Sequence, residues 1–154
     1  MFRKNLLLAF ALTLTASLTA SADPVCKAVH GRVDLAASTG PCSSKVLCAT
    51  GVLHGAIKAN SEFFGTSFVE TYNTPDTGVV LLTGDNTIHT ADGDILTKDS
   101  VVFNLTGDGE FAEVDTIVGG SGEYLDATGY LQVTGTFANG VGVGMYVGKI
   151  CWRR

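Results

Sequence analysis

Past its first two dozen residues the chain carries short apolar and β-branched runs separated by Gly, Asn and Asp. No long window repeats apolar residues at i, i+3, i+4 and i+7. That pattern predicts strands rather than helices, and several short strands with regular turn signals predict an all-β sandwich or barrel. Val25 to Val33 reads as a first strand, Val46 to Ala59 as a second, and Phe63 to Tyr72 as a third. Val79 to Thr83 reads as a fourth, continuing toward Ala91. The segments Ala36 to Lys45 and Asn73 to Gly78 hold the Gly, Pro, Asn and Asp of loops.

Two dipeptides predict tight hairpins. Asp92-Gly93 suits a type I′ turn, which sets Ala91 opposite Asp94, His89 opposite Leu96 and Asn86 opposite Asp99. Alternation then puts Ile88, Ile95, Val101 and Phe103 on one apolar, inward face, together with Asn86 and Asp99. Asn139-Gly140 is the second signal. It sets Leu131, Val133 and Phe137 opposite Gly148, Tyr146 and Gly142, where small partners leave room for a tightly curved sheet. Both faces of this hairpin are partly apolar, so the pattern does not say which lines the interior. Between the hairpins, Phe111 to Val118 is a further strand. If Phe103 faces Phe111, Glu113 and Asp115 join Asp99 inside. A slip of one residue would instead bring in Ala112, Val114, Thr116 and Val118. About eight strands result, enough to close a small barrel and remove its edges.

The first residues change the setting. Arg3 and Lys4 precede an apolar run from Leu6 to Leu18, and Ala20-Ser21-Ala22 fits a small-x-small cleavage site. Residues 1–22 therefore read as a signal peptide and 23–154 as one β-barrel domain that is secreted or periplasmic and not inserted in a membrane after cleavage. Of the 10 Lys and Arg, two lie in that segment, leaving 8 basic against 15 acidic residues. That balance argues against nucleic acid as a partner. Four cysteines in an exported chain read as two disulfides, with three connectivities open. Cys42–Cys48 would close a short loop and Cys26–Cys151 would tie the ends. A metal site is the weaker alternative, because no Cys-x-x-Cys or His-x-x-x-His spacing occurs, and no cofactor motif is present.

Ile117-Val118-Gly119-Gly120-Ser121-Gly122-Glu123-Tyr124, followed by Ala127-Thr128-Gly129-Tyr130-Leu131, resembles the G-G-[ST]-G-x-[FY]-x-x-A-x-G signature of the allene oxide cyclase and dirigent superfamily. The likeness spans roughly Val79 to Cys151. It implies an eight-stranded antiparallel β-barrel with a central cavity and, by analogy with its cyclases and coupling guides, chemistry on a small hydrophobic molecule. Plant cyclases of the superfamily are trimers, so a homo-oligomer is left open. The glutamate–cysteine pair of the allene oxide cyclases has no counterpart here.

The candidate chemistry is an acidic group of Asp99, Glu113 and Asp115 in the cavity. Asn86 and Tyr146 would be its hydrogen-bonding partners, and Phe103 would contact ligand. Close carboxylates in an apolar pocket cannot all ionise, so one keeps a proton near neutral pH and the group offers both an acid and a base. The competing reading places these acids in solvent on the outer face, where carboxylates are commonly found. Three functions follow: a cyclase- or isomerase-like enzyme, a non-catalytic barrel that binds a hydrophobic ligand, or a structural or host-interaction protein with a filled core. His30, His54 and His89 are dispersed, and the hairpin register turns His89 away from Asp99.

Overall fold

The computed structural model describes residues 23–38, 46–70 and 78–153. Residues 1–22, expected to be a signal peptide, and Cys42 lie outside them. Eight antiparallel strands run in chain order: β1 (Val25–Ala37), β2 (Cys48–Gly55), β3 (Ala59–Glu70), β4 (Val79–Thr90), β5 (Gly93–Asn104), β6 (Glu110–Gly120), β7 (Thr128–Ala138) and β8 (Val141–Trp152). Each pairs with its neighbours and β8 pairs with β1, so the sheet closes into a barrel with no free edge. A single 3-10 turn, Gly122–Tyr124, is the one helical element among the described residues.

Closure makes the strand alternation decisive. Odd positions of β5 and β6, such as Ile95, Val101, Phe111 and Ile117, are buried in the lumen, while their even neighbours face out. Phe103 pairs with Phe111, so the slipped register is excluded. On β7 and β8 the buried side is that of Leu131, Val133 and Tyr146, which settles which face lines the interior. Ala138 pairs with Val141 as the Asn139-Gly140 turn requires, with both turn residues at positive φ.

Two expectations are corrected. The run from Val46 to Ala59 is not one strand. β2 stops at Gly55, whose φ of 105° breaks the extended path, and the Ala56 N–H bonds back to the His30 carbonyl at 3.0 Å. β3 then starts at Ala59. The Asp92-Gly93 turn does not form either. Ala91 and Asp92 make the turn, and Thr90 pairs with Gly93. Neither turn residue takes the positive φ that type I′ demands. The Thr90 hydroxyl holds the turn instead, accepting from Asp92 N–H at 3.1 Å and donating to Gly93 O at 2.7 Å. Every β4–β5 partner therefore moves by two: His89 faces Asp94 and Asn86 faces Thr97. A shift of two preserves the faces, so Asn86 and Asp99 still look inward.

One end of the barrel is stoppered. Trp152 and Tyr124 stack there with ring centres 5.7 Å apart, and Ile57 and Ala127 are buried beside them. The glycine-rich segment shapes this end. Gly122 has a φ of 57°, and a side chain on Gly120 would collide with the Asp94 carbonyl. Cys26 and Cys151 face each other across β1 and β8 and are bonded. At the opposite end, where the β5–β6 loop and the β7–β8 turn lie, the described residues form no such plug.

Candidate functional site

The site is the wall formed by β4, β5 and β6 midway down the lumen. Asp99 on β5 pairs directly with Asp115 on β6, and Val101 pairs with Glu113. One carboxylate oxygen from each of Asp99, Glu113 and Asp115 falls within a sphere where all lie within 4.8 Å of one another. The three predicted acids are thus together and inside, not in solvent. Asp99 is 2% exposed and Asp115 3%. Glu113 is only half-buried, because its side chain reaches the empty part of the lumen.

Burial governs their proton affinity. Desolvation pushes Asp99 up to about 6, partly offset by hydrogen bonds from Thr97 and Asn86. Desolvation, then the charge of Asp99, pushes Glu113 up to about 8. Asp115 is raised well above the usual carboxylate range by burial and then by its two acidic neighbours. Around neutral pH the cluster therefore holds protons and negative charge side by side. Thr97, which the sequence reading passed over, donates its hydroxyl to Asp99 Oδ1 at 2.5 Å. Its signal was present: it sits two residues before Asp99, on the same face of the same strand.

Tyr146 does not complete this group. It lies in the lumen, but its hydroxyl accepts from Ile57 N–H at 2.9 Å and donates toward the His54 carbonyl at 3.0 Å. It ties β8 to the β2–β3 turn across the barrel. Asn86 lies beside Asp99 as expected. Phe103 lines the way in and meets Phe137 edge-on at 6.4 Å. The three histidines are all exposed on the outer surface, and two of them pair with aspartates there, His54 with Asp34 and His89 with Asp94.

Two spaces meet at the acids. An inner cavity of about 40 Å³ touches Asn86, Glu113, Asp115, Leu131 and Tyr146. A throat of about 70 Å³ runs outward from Glu113 and Asn86 between Phe63, Phe103, Phe111 and Phe137. The throat shares Leu47, Leu82, Phe103 and Phe137 with a mouth of about 420 Å³ at the open end. Among the described residues an apolar passage thus leads from the mouth to a carboxyl group whose proton affinity burial has raised.

No family model matches the chain, and neither a curated protein nor a solved structure matches it. The glycine-rich motif from Gly119 to Tyr124 builds the stoppered end rather than the acidic wall.

Proposed function

We propose that this protein is a secreted or periplasmic barrel that takes a small, largely apolar molecule into its lumen and rearranges it by proton transfer, as an isomerase or cyclase would. One observation carries the reading: Glu113, pushed to about 8, reaches the cavity with Asp99, pushed to about 6, close behind it. Glu113 would protonate the substrate, and the Asp99–Asp115 pair would take up the proton lost elsewhere in the molecule. The phenylalanine throat would hold the substrate against Glu113 and keep water out, which strengthens every charge inside. The likeness of the glycine motif to a superfamily of barrel cyclases agrees with this, as analogy. The Cys26–Cys151 bond is compatible with an oxidising compartment. Among the described residues no helix is long and apolar enough to cross a membrane.

A non-catalytic ligand carrier is the second reading, favoured by the mainly apolar lining of the throat. Native mass spectrometry of the exported protein, with Asp99→Asn and Glu113→Gln variants, separates the two. The catalytic reading expects a co-purified molecule whose substrate-to-product ratio changes in both variants. Folded variants that capture and process the molecule as the parent does overturn it. An unprocessed molecule held equally by all three proteins supports the carrier.

A further inference from the structure

The acidic wall has more acceptors than donors. Asp99 Oδ2, Asp115 Oδ1 and Asn86 Oδ1 are buried and have no hydrogen-bond partner. Asp115, at 3% exposure, lines the inner cavity with its unpartnered oxygen. Buried polar atoms are rarely left this way, because each forfeits its bonds to water. Every Lys, Arg and His among the described residues is exposed on the outside, so within the wall the added donors are the protons that burial holds on Glu113 and Asp115. A cationic donor in the lumen could take the place of those protons.

We infer that the occupant is an amphiphilic primary amine, with its ammonium head among Asp99, Asp115, Asn86 and Glu113 and its apolar tail along the phenylalanine throat. An ammonium carries three donors and no acceptor, the complement of three orphaned oxygens. Its positive charge favours the ionised form of carboxylates that burial alone would keep protonated. The tail has a matched path. From Glu113 to Gly109, just before β6 at the mouth, is four residues, about 10 Å along a tilted strand. That path runs past Phe111 and opens into the mouth. A neutral alcohol would satisfy fewer of the acceptors, and a carboxylate would add charge of the wrong sign. A bare calcium or magnesium ion is a poorer fit. It needs six or more oxygen or water ligands, and beyond Asn86, Glu113 and Asp115 the inner cavity of about 40 Å³ offers only the hydroxyls of Ser61 and of Tyr146, the latter already bonded to the β2–β3 turn.

This inference rests on the reading of the lumen as a ligand chamber, and the test separates the two. Octylamine, octanol, octanoate and calcium chloride are titrated into the whole mature protein by calorimetry at pH 7.5. The expected result is octylamine binding roughly 10- to 100-fold more tightly than octanol, the range for a charge-assisted bond in place of a neutral one. Octanoate and calcium should give no saturable heat. Asp115→Asn should remove about a factor of ten from octylamine and leave octanol unchanged. Octanol binding as well as octylamine overturns the amine head and leaves the chamber standing. Calcium binding that displaces octylamine replaces it with a metal site. Failure of all three organic probes overturns both the amine and the chamber.

Discussion

Glu113→Gln should make the protein more stable at alkaline pH, and the effect can be worked from the structure. Glu113 has its proton affinity raised from an ordinary 4.5 to about 8, first by burial and then by the Asp99 charge. The folded state therefore prefers the protonated side chain. Below about pH 4 both folded and unfolded chains hold that proton, and no penalty arises. Between about 4.5 and 8 the unfolded chain gives it up and the folded chain keeps it, so stability falls as pH rises. Above about 8 the loss is complete. At about 1.4 kcal/mol per tenfold change in proton affinity, the full loss is on the order of 5 kcal/mol. That is a large part of the 5–15 kcal/mol typical of a domain. Glutamine keeps the shape and cannot ionise, and its amide finds acceptors in Asp99 and Asp115. Urea unfolding at pH 4.5 and pH 8.5 reads the outcome. We expect the variant to gain several kcal/mol at the higher pH and less than about 1 kcal/mol at the lower. A parent protein whose stability climbs from pH 5 to 8, or a variant no more stable at pH 8.5, would refute the burial argument.

Further outcomes follow from other contacts. Thr97→Val removes the hydroxyl that donates to Asp99 Oδ1 at 2.5 Å and that lowers its proton affinity; a carbon-13 titration should then place the Asp99 midpoint above that of the parent protein. Tyr146→Phe strips the acceptor from the Ile57 N–H and should cost about 1–3 kcal/mol in thermal or chemical unfolding, with the pH trend of the acids intact. Replacing Cys26 and Cys151 by serine opens a bridge that spans 125 residues. Chain entropy sets the loss at up to about 5 kcal/mol, seen as an unfolding midpoint below the parent's in the absence of reductant. Gly31→Ala should push β1 off β2 and displace the Tyr146 ring, because a Cβ there would collide first with the His54 carbonyl and then with the Tyr146 hydroxyl; near-ultraviolet circular dichroism and a lowered melting temperature would report it.

Much of this fold was legible because alternation survives errors of pairing. The β4–β5 turn was misplaced by one residue, yet Ile88, Ile95, Asn86 and Asp99 kept their faces, since partners moved by two. The Asn139-Gly140 turn was read in full because both of its residues accept positive φ. The irregularities were not legible. The bulge between Gly65 and Ser67 reverses the phase of β3, so Phe63 and Phe68 both reach the lumen side although they stand five positions apart. A second bulge after Leu96 leaves Val118 unpaired. Each depends on how a distant segment packs, which no local pattern records. The destination of Tyr146 was hidden for the same reason: its partners lie 89 to 92 residues away, on a turn that the sequence reading had placed inside a strand.

The acidic wall was legible for a different reason, which bears on what it is for. Asp99 and Asp115 are directly opposed on adjacent strands, an arrangement that destabilises a sheet when both side chains are charged. Both are almost wholly buried, and neither meets a cation, since among the described residues every Lys and Arg is outside. Apolar residues of like volume would relieve both penalties without disturbing the strands. Elsewhere the lumen follows the ordinary rule, with Ile, Val, Leu and Phe at the inward positions of these same strands. A local rule broken at one layer of an otherwise regular core, with hydrogen bonds but no cation to offset it, is what the proposed chemical role calls for and a purely structural role does not. The apolar passage ends at that layer. Neutralising the acids should therefore raise stability and abolish ligand handling together, whereas a purely structural cluster would lose stability when any member is changed.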